Sequence, residues 1–151
     1  MKLILVRGIP GSGKSTVANE LANINTIVCE ADQFFMIDGE YKFIASQLRD
    51  AHKWCQAKAA FHLKRGYDVI VANTSLSHRD LNCYNNISDQ YDATFNIINC
   101  NGKFKSIHEV PDEVMERMTE KYKAITDKEW NEIRKEYNEF NEFNKEIKEI
   151  V

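Results

Sequence analysis

Residues 2–7 read KLILVR, an apolar run of strand length with charge only at its edges, the pattern of a strand buried on both faces of a parallel sheet. From Lys14 the pattern changes: Val17, Leu21 and Ile24 recur at helical spacing, which predicts a helix opening directly out of the preceding loop. A short strand is expected over 26–29. Residues 41–65 then carry a long helical pattern that stops at Gly66, a natural C-terminal signal. Residues 69–72 read as another buried strand. Ser77 with Asp80 three positions on predicts a capping box for a helix through about residue 88, and 94–99 reads as a fourth strand. Pro111 with Asp112 and Glu113 opens a further helix, and Thr126 with Glu129 opens the last, over about 126–150. On that last helix Trp130, Ile133, Tyr137, Phe140, Ile147 and Ile150 form an apolar stripe opposite Glu, Asn and Lys, suited to packing back on the rest of the chain. Strands alternating with helices imply an α/β fold with a mostly parallel sheet of four to five strands and helices on both faces.

Composition narrows the class without naming a chemistry. A chain of 151 residues with 43% hydrophobic and 28% charged residues is expected to form one domain over 1–151 around a single core. There is no repeat, linker or low-complexity tract. No apolar run approaches the about 18 residues of a membrane span, and Arg7 interrupts the first apolar segment too early for a secretory signal, so a cytoplasmic protein with no membrane contact is expected. Cys29, Cys55, Cys83 and Cys100 form no C-x-x-C pair and read as reduced thiols. The formal net charge of -3 argues against gripping a long duplex by counterion release, although one strand end needs few phosphate contacts.

Glycine placement changes the picture. Of six glycines, Gly8, Gly11 and Gly13 fall within six positions, beside Pro10, one of two prolines. Gly8-Ile9-Pro10-Gly11-Ser12-Gly13-Lys14-Ser15 fits G-x-x-x-x-G-K-[ST] between a strand and a helix, followed by Thr16. Such a loop turns backbone N–H groups inward around the phosphates of a nucleotide, its lysine reaches the β and γ phosphates, and its serine offers a hydroxyl to magnesium. The fold is thus expected to be a P-loop NTPase that binds ATP with Mg²⁺.

Asp32, just after the second strand, falls at the carboxyl ends of the strands, where open parallel sheets bind ligands. It suits a base that takes a proton from an attacking hydroxyl, and it equally suits a turn cap. Asn73, Thr74 and Ser75 follow the third strand and fit either a plain turn or groups that hold metal-bound water or orient Asp32. Lys103, Lys105 and His108 fall in a segment of about 101–110 that reads as a lid over a triphosphate or as solvated charge. His52 is expected to be a packed helical histidine. Phe34, Phe35 and Tyr41 are expected in the core, with stacking on a base as the other use.

Taken in order, GIPGSGKST, ADQFF, YKFIASQLRDAHKW, VIVANTSLSHRDL and HEVPDEVMERM resemble the phage-type polynucleotide 5′-kinases, from Lys2 to about Tyr122. The resemblance narrows the P-loop fold to the kinase type and implies strand order 2-3-1-4 with a helical lid after the fourth strand. It also implies Asp32 as general base, Lys14 and Ser15 serving ATP and magnesium, and Lys105 where the family has a lid arginine; with Asn73 in place of a carboxylate, magnesium is then expected on Ser15 and Asp32. Three positions depart from it. Asn73 stands in a segment that often carries Asp, Phe35 stands where a basic residue holds the acceptor phosphate, and Lys105 keeps the charge but loses the planar fork of arginine. The resulting expectation is γ-phosphoryl transfer to a hydroxyl, with a single-stranded nucleic-acid 5′ end as acceptor. A small-molecule or nucleoside kinase, or an ATP-binding module without transfer, are the alternatives. The oligomeric state is left open.

Overall fold

The structure is a computed structural model describing residues 1–100, 102 and 110–126. In chain order the strands are β1 (Lys2–Arg7), β2 (Thr26–Cys29), β3 (Met36–Ile37), β4 (Glu40–Tyr41), β5 (Asp68–Asn73) and β6 (Thr94–Asn99). The α-helices are α1 (Lys14–Leu21), α2 (Leu48–Lys64), α3 (His78–Gln90) and α4 (Asp112–Thr126), with single 3₁₀ turns at Ala31–Phe35 and Ala45–Gln47.

β2, β5, β1 and β6 form one parallel sheet in that order, which is the expected 2-3-1-4 once the small hairpin is set aside. β1 is central: Val6 pairs with Ala72 on one side and with Ile98 on the other. The chain runs outward from β1 to β2, returns to β5 and then crosses to the far side of β1. The direction of winding therefore reverses at β1, and the loop leaving its carboxyl end sits at the switch point where open α/β sheets take ligands.

Alternation along the central strands divides the core in two. Leu3, Leu5, Val69 and Val71 pack on one face with Ala51, Cys55, Ala59 and Leu63 of α2 and with Leu81 and Tyr84 of α3. Val6, Ile70 and Ala72 pack on the other face with Ala18 of α1. The small side chains at four-residue spacing on α2 let its backbone approach the sheet closely. The Ser77–Asp80 capping box is formed: Ser77 Oγ accepts from Asp80 N–H at 3.1 Å, and Asp80 Oδ2 accepts from Ser77 N–H at 3.2 Å. All four cysteines are free thiols, as expected. Among the described residues no helix is long and apolar enough to cross a membrane.

Two helical expectations need correction. Leu21 is 45% exposed and Ile24, beyond the helix, is 95% exposed; α1 meets the core through buried Ala18 and half-buried Val17, the one expected position that packs there. The pattern over 41–65 is helical only from Leu48. Before it, β3 and β4 form a hairpin turned by Asp38 (φ 51°) and Gly39 (φ 80°), both in the left-handed region that such tight turns demand. Lys42 N–H donates to Phe35 C=O at 2.9 Å and seats the hairpin on the turn after β2. α4 starts at Asp112 as expected, while the helix expected over about 126–150 lies outside the described residues beyond Thr126.

Candidate nucleotide site

The loop from Gly8 to Gly13 joins β1 to α1. Gly11 (φ 80°) and Gly13 (φ 94°) take the left-handed backbone that other residues adopt only with strain, and Gly13 is the N-cap of α1. Gly8 is needed for a different reason: a Cβ there would press on Ser12 Oγ and lie 2.8 Å from the Cys100 carbonyl. The loop is tied down by backbone bonds from Ser12 N–H to Ile9 C=O (3.2 Å), from Gly102 N–H to Ser12 C=O (3.1 Å), and from Cys100 N–H to Arg7 C=O (2.8 Å). Ser12 is buried, and its Oγ has no hydrogen-bond partner among the described residues. A buried hydroxyl with no partner, inside a glycine loop at a helix N-terminus, fits a place that phosphate oxygens complete.

Lys14 bends over the loop, its Nζ donating to Ile9 C=O at 2.9 Å. Burial holds its ammonium below the ordinary lysine value of 10.5, opposed by Cys100, Asp32 and Glu30. Thus the carboxylates after β2 are close enough to act on the loop lysine, although β5 lies between β1 and β2 in the sheet. Ser15 Oγ donates to Glu30 Oε1 at 2.7 Å. Thr16 is exposed in the first turn of α1.

Asp32 is exposed in the 3₁₀ turn after β2, and Tyr41 of β4 donates its hydroxyl to Asp32 Oδ1 at 3.3 Å. Partial burial and the Asp32 charge push the Tyr41 phenol up to about 12, so it remains a donor. The start of the turn is held from β5. Asn73 Oδ1 accepts from Ala31 N–H at 2.8 Å, and its Nδ2 faces Cys55 Sγ and Tyr84 Oη, each at 3.5 Å. Asn73 thus spends its amide within the fold, on the residue before Asp32 and on Cys55 and Tyr84. Phe35 is 1% exposed, with ring centroids 5.3 Å from Phe34, 6.2 Å from Tyr41 and 5.1 Å from Phe43. It belongs to the core, while Phe34 and Tyr41 are half-buried. His52 is half-buried on α2. Lys103, Lys105 and His108 lie outside the described residues.

Sequence reasoning passed over Glu30 and Arg7. Arg7 is 1% exposed at the end of β1; its Nε donates to Ser75 C=O and its Nη1 to Asn99 Oδ1, each at 2.9 Å, and its guanidinium lies 4.5 Å from the Tyr122 ring centroid. It joins the ends of three strands to α4. The charged residue closing an apolar run was its only signal. For Glu30 the signal was its place beside Asp32 at a strand's carboxyl end.

Among the described residues no three His, Cys, Asp or Glu side chains converge as a metal cage. Ser15 and Glu30 nonetheless offer hard oxygen donors, and magnesium commonly binds through one or two such groups plus phosphate and water. The donor chemistry fits that ion.

Comparison with known proteins places these features. Human NEDD4-binding protein 2 is 36% identical over 136 residues, covering 82% of this chain and 8% of its own length. The structure of a Pnkp1/Rnl/Hen1 complex matches with 25% identity and a TM-score of 0.55, covering 77% of this chain and 38% of the other; that of the Pnkp1/Rnl/Hen1 RNA repair complex matches with 21% identity and a TM-score of 0.66, covering 83% and 45%. The Mycobacterium tuberculosis APS kinase CysC shares the fold at 16% identity, with a TM-score of 0.54 and coverage of 83% and 94%. The chain therefore spans a minor part of NEDD4-binding protein 2 and under half of the Pnkp1 chains. These matches carry the kinase-like part of the expected resemblance but do not single out the phage-type enzymes. A sheet reversing at β1, a glycine loop leading into α1 and a family match over residues 3–139 agree: the chain belongs to the AAA domain family and has the fold of a P-loop kinase.

Proposed function

We propose that this chain is an ATP-dependent phosphotransferase that passes the γ-phosphoryl group to a hydroxyl, with a nucleic-acid 5′-hydroxyl as the favoured acceptor. The observation that carries this reading is the meeting of the P-loop pair Lys14 and Ser15 with the carboxylates that follow β2. The phosphate loop, with Gly8, Pro10, Gly11, Ser12, Gly13 and Thr16, wraps the phosphates of ATP; its free N–H groups donate to them, and Pro10, which has none, shapes the turn. Lys14 leaves Ile9 C=O for the β and γ oxygens. Asp32, exposed and oriented by Tyr41, accepts the proton of the attacking hydroxyl. Ser15 and the neighbouring carboxylates hold Mg²⁺, which when bound neutralises phosphate charge. Lys105 is assigned the lid cation that meets charge developing on the transferring group.

The acceptor assignment rests on the Pnkp1 likeness and on the exposed apolar surface around the hairpin, where Met36, Ile37 and Phe43 are 50%, 44% and 51% exposed and the Phe43 ring offers a face on which a base stacks. The burial of Phe35 favours a second reading, a small hydroxyl acceptor, because no basic group at that position meets an acceptor phosphate. Transfer of label from [γ-³²P]ATP to 5′-hydroxyl oligonucleotides, nucleosides and small hydroxyl metabolites separates the two. Asp32→Asn should lower kcat by about 10² to 10⁴ while leaving ATP affinity nearly unchanged. Absence of transfer to every acceptor by protein that binds ATP would refute phosphotransfer.

A further inference from the structure

Resting on the nucleotide site proposed above, we infer that Glu30 is the positioning residue for the P-loop magnesium, taking over at the end of β2 the carboxylate that β5 lacks. A serine that ligates a cation through a lone pair must send its proton elsewhere, and that acceptor fixes how the lone pairs point. In this fold the acceptor is Glu30 Oε1, 2.7 Å from Ser15 Oγ. Asp32 is engaged by Tyr41 from the hairpin, and Asn73 is neutral with its acceptor oxygen occupied by Ala31 N–H.

The backbone around Glu30 is held at three points, so the side chain starts from a defined place. Gln33 Oε1 accepts from Glu30 N–H at 3.2 Å, Glu30 C=O accepts from Gln33 N–H at 3.1 Å, and Asn73 receives the next N–H. Gln33 is itself pinned by Lys58, whose Nζ donates to the same Oε1 at 2.8 Å. An amide on β5 thus supports the strand end that presents the carboxylate. The division of labour is specific: Asp32 is left to serve the acceptor hydroxyl, while Glu30 sets the Ser15 hydroxyl and would accept hydrogen bonds from water on a bound cation.

The test is calorimetric titration of ADP with and without Mg²⁺ on wild type, Glu30→Gln and Glu30→Ala, each checked for a wild-type thermal melt. Glutamine keeps an acceptor for Ser15 but removes the charge. The Mg²⁺-dependent gain in ADP affinity should therefore fall about tenfold in Glu30→Gln and approach about 100-fold in Glu30→Ala, the range expected for groups that orient metal ligands. Metal-free ADP affinity should be unchanged or higher, since a negative charge beside the phosphates is gone. In a Ser15→Ala background Glu30→Gln should add little, because both act through one hydroxyl. An Mg²⁺ gain equal to wild type in folded Glu30→Gln overturns the assignment. So does an equal fall in metal-free and Mg²⁺-supported affinity, which marks a turn cap. Wild-type protein that binds no ADP under either condition removes instead the nucleotide site on which the inference rests.

Discussion

Replacing Asn73 by alanine removes a clamp between β5 and the turn that presents Asp32, and its effect can be worked from the contacts. Ala31 is 5% exposed, so its N–H, now bonded to Asn73 Oδ1 at 2.8 Å, would face a small void rather than bulk water. Leaving a buried donor unmatched costs about 1 to 3 kcal/mol. The two Nδ2 contacts, at 3.5 Å to Cys55 Sγ and Tyr84 Oη, lie at the limit of hydrogen bonding and add little. A loss of about 2 kcal/mol, with a urea slope of about 2 kcal/mol/M, moves the midpoint down by about 1 M. Because Asp32 is the next residue, kcat should fall more than ATP affinity. Asn73→Asp separates the clamp from a metal role: its carboxylate still accepts from Ala31 N–H and can accept from Tyr84, so it should retain more stability than alanine. A urea midpoint for Asn73→Ala within about 0.2 M of wild type would refute the clamp. An Asn73→Asp variant less stable than alanine would show that desolvation of the buried charge outweighs the retained bond.

Phe35→Ala, which empties the centre of the aromatic cluster, should cost about 3 to 5 kcal/mol by denaturant melt, and a loss under 1 kcal/mol would contradict its core placement. Burial lowers the Lys14 ammonium below 10.5 in the free protein, and bound phosphates raise it again. ATP binding between the lowered value and the ordinary lysine range should therefore take up a proton, visible as buffer-dependent heat and absent in Lys14→Met. Identical heats for both proteins in buffers of different ionisation enthalpy would rule that out. Lys105→Ala should lower kcat more than ATP affinity while Lys103→Ala stays near wild type; equal losses would indicate diffuse steering rather than a lid residue.

The sheet and its order were legible before any coordinates because apolar runs of strand length, separated by helical patterns, leave few ways to build a parallel sheet. The phosphate loop was legible because glycine is rare in this chain and clusters at a strand–helix junction. The Ser77–Asp80 and Pro111–Asp112 helix starts were equally plain, since capping is local chemistry. The Met36–Tyr41 hairpin was missed although Asp38-Gly39 is a strong turn signal: its strands are two residues long, too short for alternation to outweigh the helical pattern that follows. Leu21 and Ile24 misled for a related reason. Periodicity reports which residues share a face, and it cannot say whether an eight-residue helix is long enough to bring that face to the sheet. The pairing of Ser15 with Glu30, the tie from Asn73 to Ala31 and the hold of Tyr41 on Asp32 join residues 15, 42 and 9 positions apart. Such contacts carry no local pattern: Asn73 meets Ala31 because Cys29 pairs with Val71 and β5 runs two residues beyond the end of β2, while Ser15 and Tyr41 arrive from α1 and the hairpin, and all three meetings are set only when the sheet assembles.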